Sequence, residues 1–261
     1  MSMKVKEITS VIEAFAPLSI QEDWDNSGLL IGSPEQDVHG VLLGFDCTAD
    51  LVDEAVERGA DMIVTHHPLI FGGLKKISPE DPVGLAVLKA AAAGIAVYAA
   101  HTTADKVLAG VSGAMARRLG LNDVRILDEE QGGYGLGAVG NLPKPMGGVE
   151  FIEYVKSVFG LKSARCSHVP EVPVQRVAMC GGSGGSLIGK ARGAGAQAYL
   201  CGDISYHHFF TTKDFMVIDI GHFEGEVEIV EILFSLLRKN FPNFAICTSA
   251  RLETSNPVYY Y

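Results

Sequence analysis

Two stretches of this chain share one grammar. "VLLGFDCTADLVDEAVERGADMIVTHH" opens at Val41, and "VAMCGGSGGSLIGKARGAGAQAYLCGD" opens at Val177. Each has an apolar run of strand length, a helical stretch, a Gly-Ala pair and a second apolar run. The distance from the first valine to the glycine is 18 residues in both, 41 to 59 and 177 to 195. Further on, "IAVYAAHTTAD" matches "FMVIDIGHFEGE". An apolar strand ends in His101-x-x-x-Asp105 in the first case and in His222-x-x-x-Glu226 in the second. Strand–helix–strand units in this order call for parallel strands joined by crossover helices. The register predicts two similar α/β lobes with mixed, mainly parallel sheets covered by helices.

The segments between the matches fill in the plan. Residues 3–16 have the period of an amphipathic helix, ended near Pro17. "WDNSGLLIGS" is a turn feeding a short strand, and residues 83–93 form a helix closed by Gly94. Residues 129–148 are rich in Gly and Pro and predict a hairpin or connector. That region is the expected boundary, giving one lobe from 1–128 plus 235–261 and another from 129–234. "EVEIVEILFSLLRKNF" predicts a long closing helix and "FAICTSA" a last strand.

With 48% hydrophobic residues among 261, the chain can bury a large core. Its formal net charge of -10 and the absence of a Lys/Arg cluster argue against nucleic-acid binding. No apolar run is long enough for a membrane span, and "MSMKVKEITSVIEAF" has no signal-peptide core. The cysteines, Cys47, Cys166, Cys180, Cys201 and Cys247, are odd in number and form no C-x-x-C pair. Free thiols in a reducing cytoplasm are the expectation, rather than disulfides or a zinc ribbon.

Binding sites of such sheets form at the C-terminal ends of strands. Three strand ends here bear metal-type ligands: His66-His67, His101 with Asp105, and His222 with Glu226. Imidazole and carboxylate suit Zn, Fe, Mn or Co, and a carboxylate can bridge two ions. Adjacent histidines inside a strand point to opposite faces, so they converge only where the strand has ended, and Pro68 supplies that break. At i, i+4, His222 and Glu226 share one face of a helical turn. A single histidine at a strand end is usually a hydrogen-bonded structural residue. His39 and His168, which lack ligand neighbours, take that reading. His207-His208 reads as packing, or as a wall of the cleft. "GGSLIGK", from Gly184 to Lys190, resembles a P-loop but continues with Ala191 where a hydroxyl should hold Mg²⁺. It reads as a tight strand-to-helix turn.

"WDNSGLLIG", "THHPLIF", "HTTAD", "GDISYHHF" and "GHFEGE" occur in the order seen in the Nif-three-like family, whose bacterial members are labelled GTP cyclohydrolase 1 type 2 homologs. The resemblance runs from Asp23 to Glu226 and matches the short form without an inserted domain. It implies a two-lobed α/β protein with a dinuclear metal site in the cleft between the lobes. By position, His66, His67, Asp105, His222 and Glu226 would be the metal ligands, with His101 close by as a proton-transfer residue. It also implies a hexameric ring, a trimer of dimers. This chain departs from the family pattern at Thr103, where Asn is common, and at Gly225, where Ser or Thr is common. Both changes spare the ligands and touch hydrogen bonds behind them. The chemistry to expect is metal-dependent hydrolysis of a nucleotide or phosphoester, or the ring-opening that the label implies. The competing class is a non-catalytic metal-binding or scaffold assembly.

Overall fold

The computed structural model describes residues 2–260. It divides into two compact units, one ending at Ala104 and taking in 229–257, the other comprising 105–228 and the residues after 257. The first unit starts with β1 (Met3–Lys4), α1 (Val5–Phe15), β2 (Gly28–Ile31), β3 (Asp37–Val38), β4 (Gly40–Gly44) and α2 (Ala49–Glu57). It continues through β5 (Met62–Thr65), α3 (Pro82–Ala92), β6 (Ala96–Ala99) and α4 (Thr102–Asp105). The second unit holds α5 (Val111–Arg118), β7 (Asn122–Glu129), β8 (Gly135–Met146), α6 (Gly148–Phe159) and β9 (Arg165–Cys166). Then come β10 (Val174–Ser183), α7 (Ile188–Gly193), β11 (Ala198–Gly202), β12 (Met216–Asp219) and α8 (His222–Glu226). With α9 (Glu228–Asn240) and β13 (Ala245–Thr248) the chain completes the first unit.

In the first unit the main sheet runs β13-β4-β5-β6-β2, parallel except for β2. Every residue of β4, β5 and β6 is buried, as a parallel sheet covered on both faces requires. Leu42, Ile63 and Val97 pack with Leu51 and Val52 of α2 and Ala86, Val87 and Ala90 of α3. The Thr48 hydroxyl caps α2 by accepting from Leu51 N, and Asp81 caps α3 by accepting from Gly84 N.

The second sheet runs β7-β8-β10-β11-β12-β9, and only its β10-β11-β12 centre is parallel. The β7–β8, β8–β10 and β12–β9 pairings are antiparallel, so this sheet is mixed rather than mainly parallel. One face packs Met179, Leu200 and Ile218 against Met115 and Leu119 of α5 and Phe151 and Val155 of α6. The other packs Ala178, Tyr199 and Val217 against Leu187 and Ala191.

The shared register is structural. β4-α2-β5-α3-β6 and β10-α7-β11-β12 each place three neighbouring parallel strands in order. The matched glycines end the matched helices in the left-handed region, Gly59 at φ +66° and Gly195 at φ +76°. Beside them Ala60 N donates to Ala55 O, and Ala196 N donates to Ala191 O.

The units do not divide at the expected 128/129 and 234/235. β7 pairs along its length with β8, so 105–128 belong to the second unit. α9 runs unbroken from Glu228, which puts the other boundary at its first turn. The "GGSLIGK" turn is structural: the Tyr199 hydroxyl donates to Gly184 O at 2.7 Å, and Lys190 Nζ donates to Asp128 at 2.7 Å. All five cysteines are free. Among the described residues, no helix is long and apolar enough to cross a membrane.

Glu54, 4% exposed on α2, clamps the turn after β13. It accepts from Ser249 Oγ at 2.6 Å and Ala250 N at 2.8 Å, and it pairs with Arg58 Nε at 2.9 Å. Removing charge from a buried acceptor of this kind costs about 2 kcal/mol. Glu54→Gln is expected to lower the urea unfolding free energy by that amount; an unchanged midpoint would contradict the clamp.

Candidate metal centre

In the first unit three adjacent strand ends supply the polar side chains. Asp46 follows β4, His66 and His67 follow β5, and His101 follows β6. β5 ends at Thr65, ahead of Pro68, and the chain folds back so that His66 N and His67 N both donate to Phe45 O at 3.2 Å. The Thr65 hydroxyl donates to His67 O at 2.8 Å. The result is the convergence the sequence predicts. The His66 and His67 ring centres are 4.9 Å apart, and each lies 5.5 Å from the His101 ring. The Phe45 ring floors the pair.

The histidines are oriented by their Nδ1 atoms. His67 Nδ1 contacts Asp46 Oδ1 at 2.7 Å, His101 Nδ1 contacts Asp25 Oδ1 at 2.7 Å, and His66 Nδ1 contacts Ala100 O at 3.1 Å. A carboxylate or a carbonyl can only accept, so each ring donates through Nδ1–H and carries its lone pair on Nε2.

The second unit repeats the arrangement. His222 follows β12 at the start of α8, and its Nδ1 contacts Asp203 Oδ2 at 2.7 Å. Asp203 follows β11 with φ +52°, a strained backbone conformation that Asp tolerates better than most residues. On the other side of the ring, His222 Nε2 faces Glu226 Oε2 at 3.0 Å, one helical turn on. Glu226 is 4% exposed and needs glycine beside it: a Cβ on Gly182 would lie 2.2 Å from Glu226 Oε1. Burial pushes the Cys180 thiol pKa well up, and the nearby Asp105 and Glu226 carboxylates push it further. The second unit therefore pairs His222 with Glu226, with Asp105 near Cys180, and the first gathers His66, His67 and His101.

The chemistry of these donors fits a divalent ion. Imidazoles held at Nδ1 by carboxylates or carbonyls are the usual form of metal-ligating histidine. The glycine cradle gives Glu226 room to turn an oxygen toward a ligand, and His66, His67 and Glu226 are donors suited to a metal ion. Asp25, Asp46 and Asp203 were not singled out in the sequence, although each lies in a motif noted there. The paired signal was available for three of the four strand-end histidines: His67, His101 and His222 each have an aspartate just after a nearby strand or turn.

His207 and His208 make local contacts, His207 stacking on Phe210 and meeting Tyr206 edge-on. Both are exposed on a single 3-10 turn, where His208 Nδ1 contacts Ser205 Oγ. His39 pairs with Asp61 at the surface, and His168 is exposed. Beside His67 the first unit opens a cavity of about 630 Å³, lined by Asp46, Asp50, Glu80, Leu69 and Val83 among others. No Lys or Arg lines it, so its own side chains do not attract an anion.

A family model described as Duf34/NIF3 (NGG1p interacting factor 3) matches residues 3–256. The chain belongs to this family. Among its family relatives is a protein of Clostridium acetobutylicum named GTP cyclohydrolase 1 type 2 homolog, 34% identical over 261 residues, covering 98% of this chain and 97% of the relative. A Lactococcus lactis protein of the same name is 35% identical over 262 residues, covering 98% and 99%. A crystal structure of a Staphylococcus aureus hypothetical protein superposes with a TM-score of 0.92 at 28% identity, covering 99% of both chains. Reduced HcgD from Methanocaldococcus jannaschii superposes with a TM-score of 0.81 at 25% identity, covering 95% of this chain and 98% of that one.

The most heavily bonded of the aspartates gives a pH test. Burial raises the Asp25 carboxyl pKa, but hydrogen bonds from His101, Thr102 and Ser27 outweigh burial and hold it far below the usual range. A carboxyl depressed in the folded state adds stability above its unfolded pKa of about 3.9, and that stability is lost as pH falls through the folded value. Asp25→Asn is expected to cost about 2 kcal/mol at pH 7 and progressively less as the pH is lowered below about 4. Urea titrations of the metal-free proteins at a series of pH values measure this. A gap that does not narrow in acid would contradict the role of the carboxylate.

Proposed function

We propose that this family member is a metal-dependent hydrolase acting on a nucleotide or another phosphoester. In this reading His66, His67, Asp105, His222 and Glu226 hold two divalent ions, and His101 moves the proton. The observation that carries it is the common orientation of the four strand-end histidines, each engaged through Nδ1, with carboxylates at three of them. Such anchoring fixes the ring, makes Nε2 the ligating atom and raises its basicity.

Bound Zn, Fe, Mn or Co ions would polarise a phosphoryl or carbonyl oxygen and offset the charge of an anionic substrate. The chain needs that offset, since its own net charge is -10 and the cavity beside His67 has acidic walls. In this reading His101 is not a ligand but the proton-transfer residue. Asp25 holds its Nδ1 proton, so Nε2 can accept a proton from an attacking water and return it to a leaving group. The Asp25–His101 pair thus orients a general base, and the remaining histidines serve as donors. The name borne by the Clostridium and Lactococcus relatives makes GTP the first substrate to try.

Protein reconstituted with each of the four metals is incubated with GTP and a panel of phosphoesters. Turnover is expected, with loss on chelation and in His67→Ala. His101→Ala is expected to keep its metal and lose at least about 100-fold in rate. Asp46→Asn should keep His67 but weaken metal affinity by about 10- to 100-fold. Metal retained with no turnover on any substrate would favour the non-catalytic binding class instead.

A further inference from the structure

Trp24 and Phe71 form an aromatic pair that the fold builds and then leaves bare. Trp24 is 57% exposed and Phe71 55% exposed, with ring centres 5.7 Å apart and planes inclined by 35°. Both rings meet the His101 imidazole edge-on, Trp24 at 6.0 Å and Phe71 at 5.9 Å. The segments that carry them are tightly held. Asn26 Nδ2 donates to Ile70 O at 2.5 Å, tying the Trp24 loop to the Phe71 loop. Asp25, between Trp24 and Asn26, accepts from Asn26 N, Ser27 Oγ, Thr102 N, Thr102 Oγ1 and His101 Nδ1. Ser27 N in turn donates to Gln21 Oε1 at 3.0 Å.

This backbone is ordered by hydrogen bonds, so the two rings are not needed to pack it. Large apolar rings held rigidly in water at the edge of a polar site are platforms for a ligand. The platform's occupant must be planar to use ring faces, and it must tolerate the acidic surroundings of Asp25. We propose that Trp24 and Phe71 are the subsite for a planar heteroaromatic ring of the nucleobase class, stacked beside His101. This inference rests on the hydrolase reading above and names the substrate part next to the general base. The stacked ring brings the bond to be cleaved to His101 Nε2, whereas a sugar phosphate without a base has nothing to hold it there. A second copy of the chain covering the two rings is the competing occupant. It is disfavoured because the pair is turned edge-on to His101 rather than spread as a flat patch.

Trp24 is the single tryptophan of the chain, so indole emission reports this subsite directly. Chelator-treated wild-type protein is titrated with guanosine monophosphate, adenosine monophosphate and ribose 5-phosphate, with emission excited at the red edge of the indole band and corrected for absorption by the bases. Saturable quenching by both nucleotides and none by ribose 5-phosphate is expected. In Phe71→Ala, nucleotide binding should weaken about tenfold, as loss of one stacking face predicts. Equal quenching by ribose 5-phosphate, or no quenching by either nucleotide, overturns the proposal. So does emission that changes on diluting the ligand-free protein, which would reveal a copy–copy surface. Because the protein is metal-free, quenching that persists without turnover in the loaded enzyme would sink the hydrolase reading and leave the ring subsite standing. Turnover without quenching would do the reverse.

Discussion

An imidazole can rotate about two bonds and has two nitrogens, so a histidine at a strand end specifies little by itself. Here one hydrogen bond per ring removes that freedom. Asp46, Asp25 and Asp203 take the Nδ1 protons of His67, His101 and His222, and the carbonyl of Ala100 takes that of His66. The rings of His66, His67 and His101 are then one-sided donors at a known place, while His222 also meets Glu226 through Nε2. The aspartates are bound in turn: Asp25 accepts five hydrogen bonds, and Asp203 accepts a strained backbone to reach its partner. The fully buried Asp25 side chain is tolerated because its oxygens are satisfied as a network.

The fold supplies the anchors through neighbouring parallel strands. In a parallel sheet the strands end side by side, so residues far apart in sequence reach one edge together. Asp46, His67 and His101 come from consecutive strands of the first unit. Asp203 and His222 come from two adjacent strands of the second, with the glycine-rich end of β10 alongside. That glycine end and the Glu226 carboxylate depend on one another. A side chain at Gly182 would occupy the space Glu226 uses.

Much of the plan was legible because it rests on local rules. The matched Gly-Ala pairs, the strand break before the His66-His67 pair and the i, i+4 spacing of His222 and Glu226 are consequences of backbone geometry, and the structure has all three, the break falling after Thr65. What escaped was non-local. α5 is only eight residues long and buried along most of its length, so it shows no amphipathic period. The first part of β7 takes its identity from pairing with β8, and this misplaced the expected boundary. The anchoring aspartates sit 21, 76 and 19 residues from their histidines, and no spacing rule spans such gaps. His207-His208 looked like the strand-end pair but lies on an exposed turn, with no strand to aim it and no carboxylate to hold it.

The central claim is that metal enters at Nε2 while Nδ1 stays protonated on its anchor. Long-range proton–nitrogen correlation spectra of protein with nitrogen-labelled histidine, recorded before and after zinc addition, test it at each ring. The account predicts that zinc shifts the Nε2 resonances of His66, His67 and His222 and leaves their Nδ1–H signals in place, while His101 keeps both nitrogens unligated. Zinc appearing at any Nδ1, or producing no response at these three rings, would contradict it.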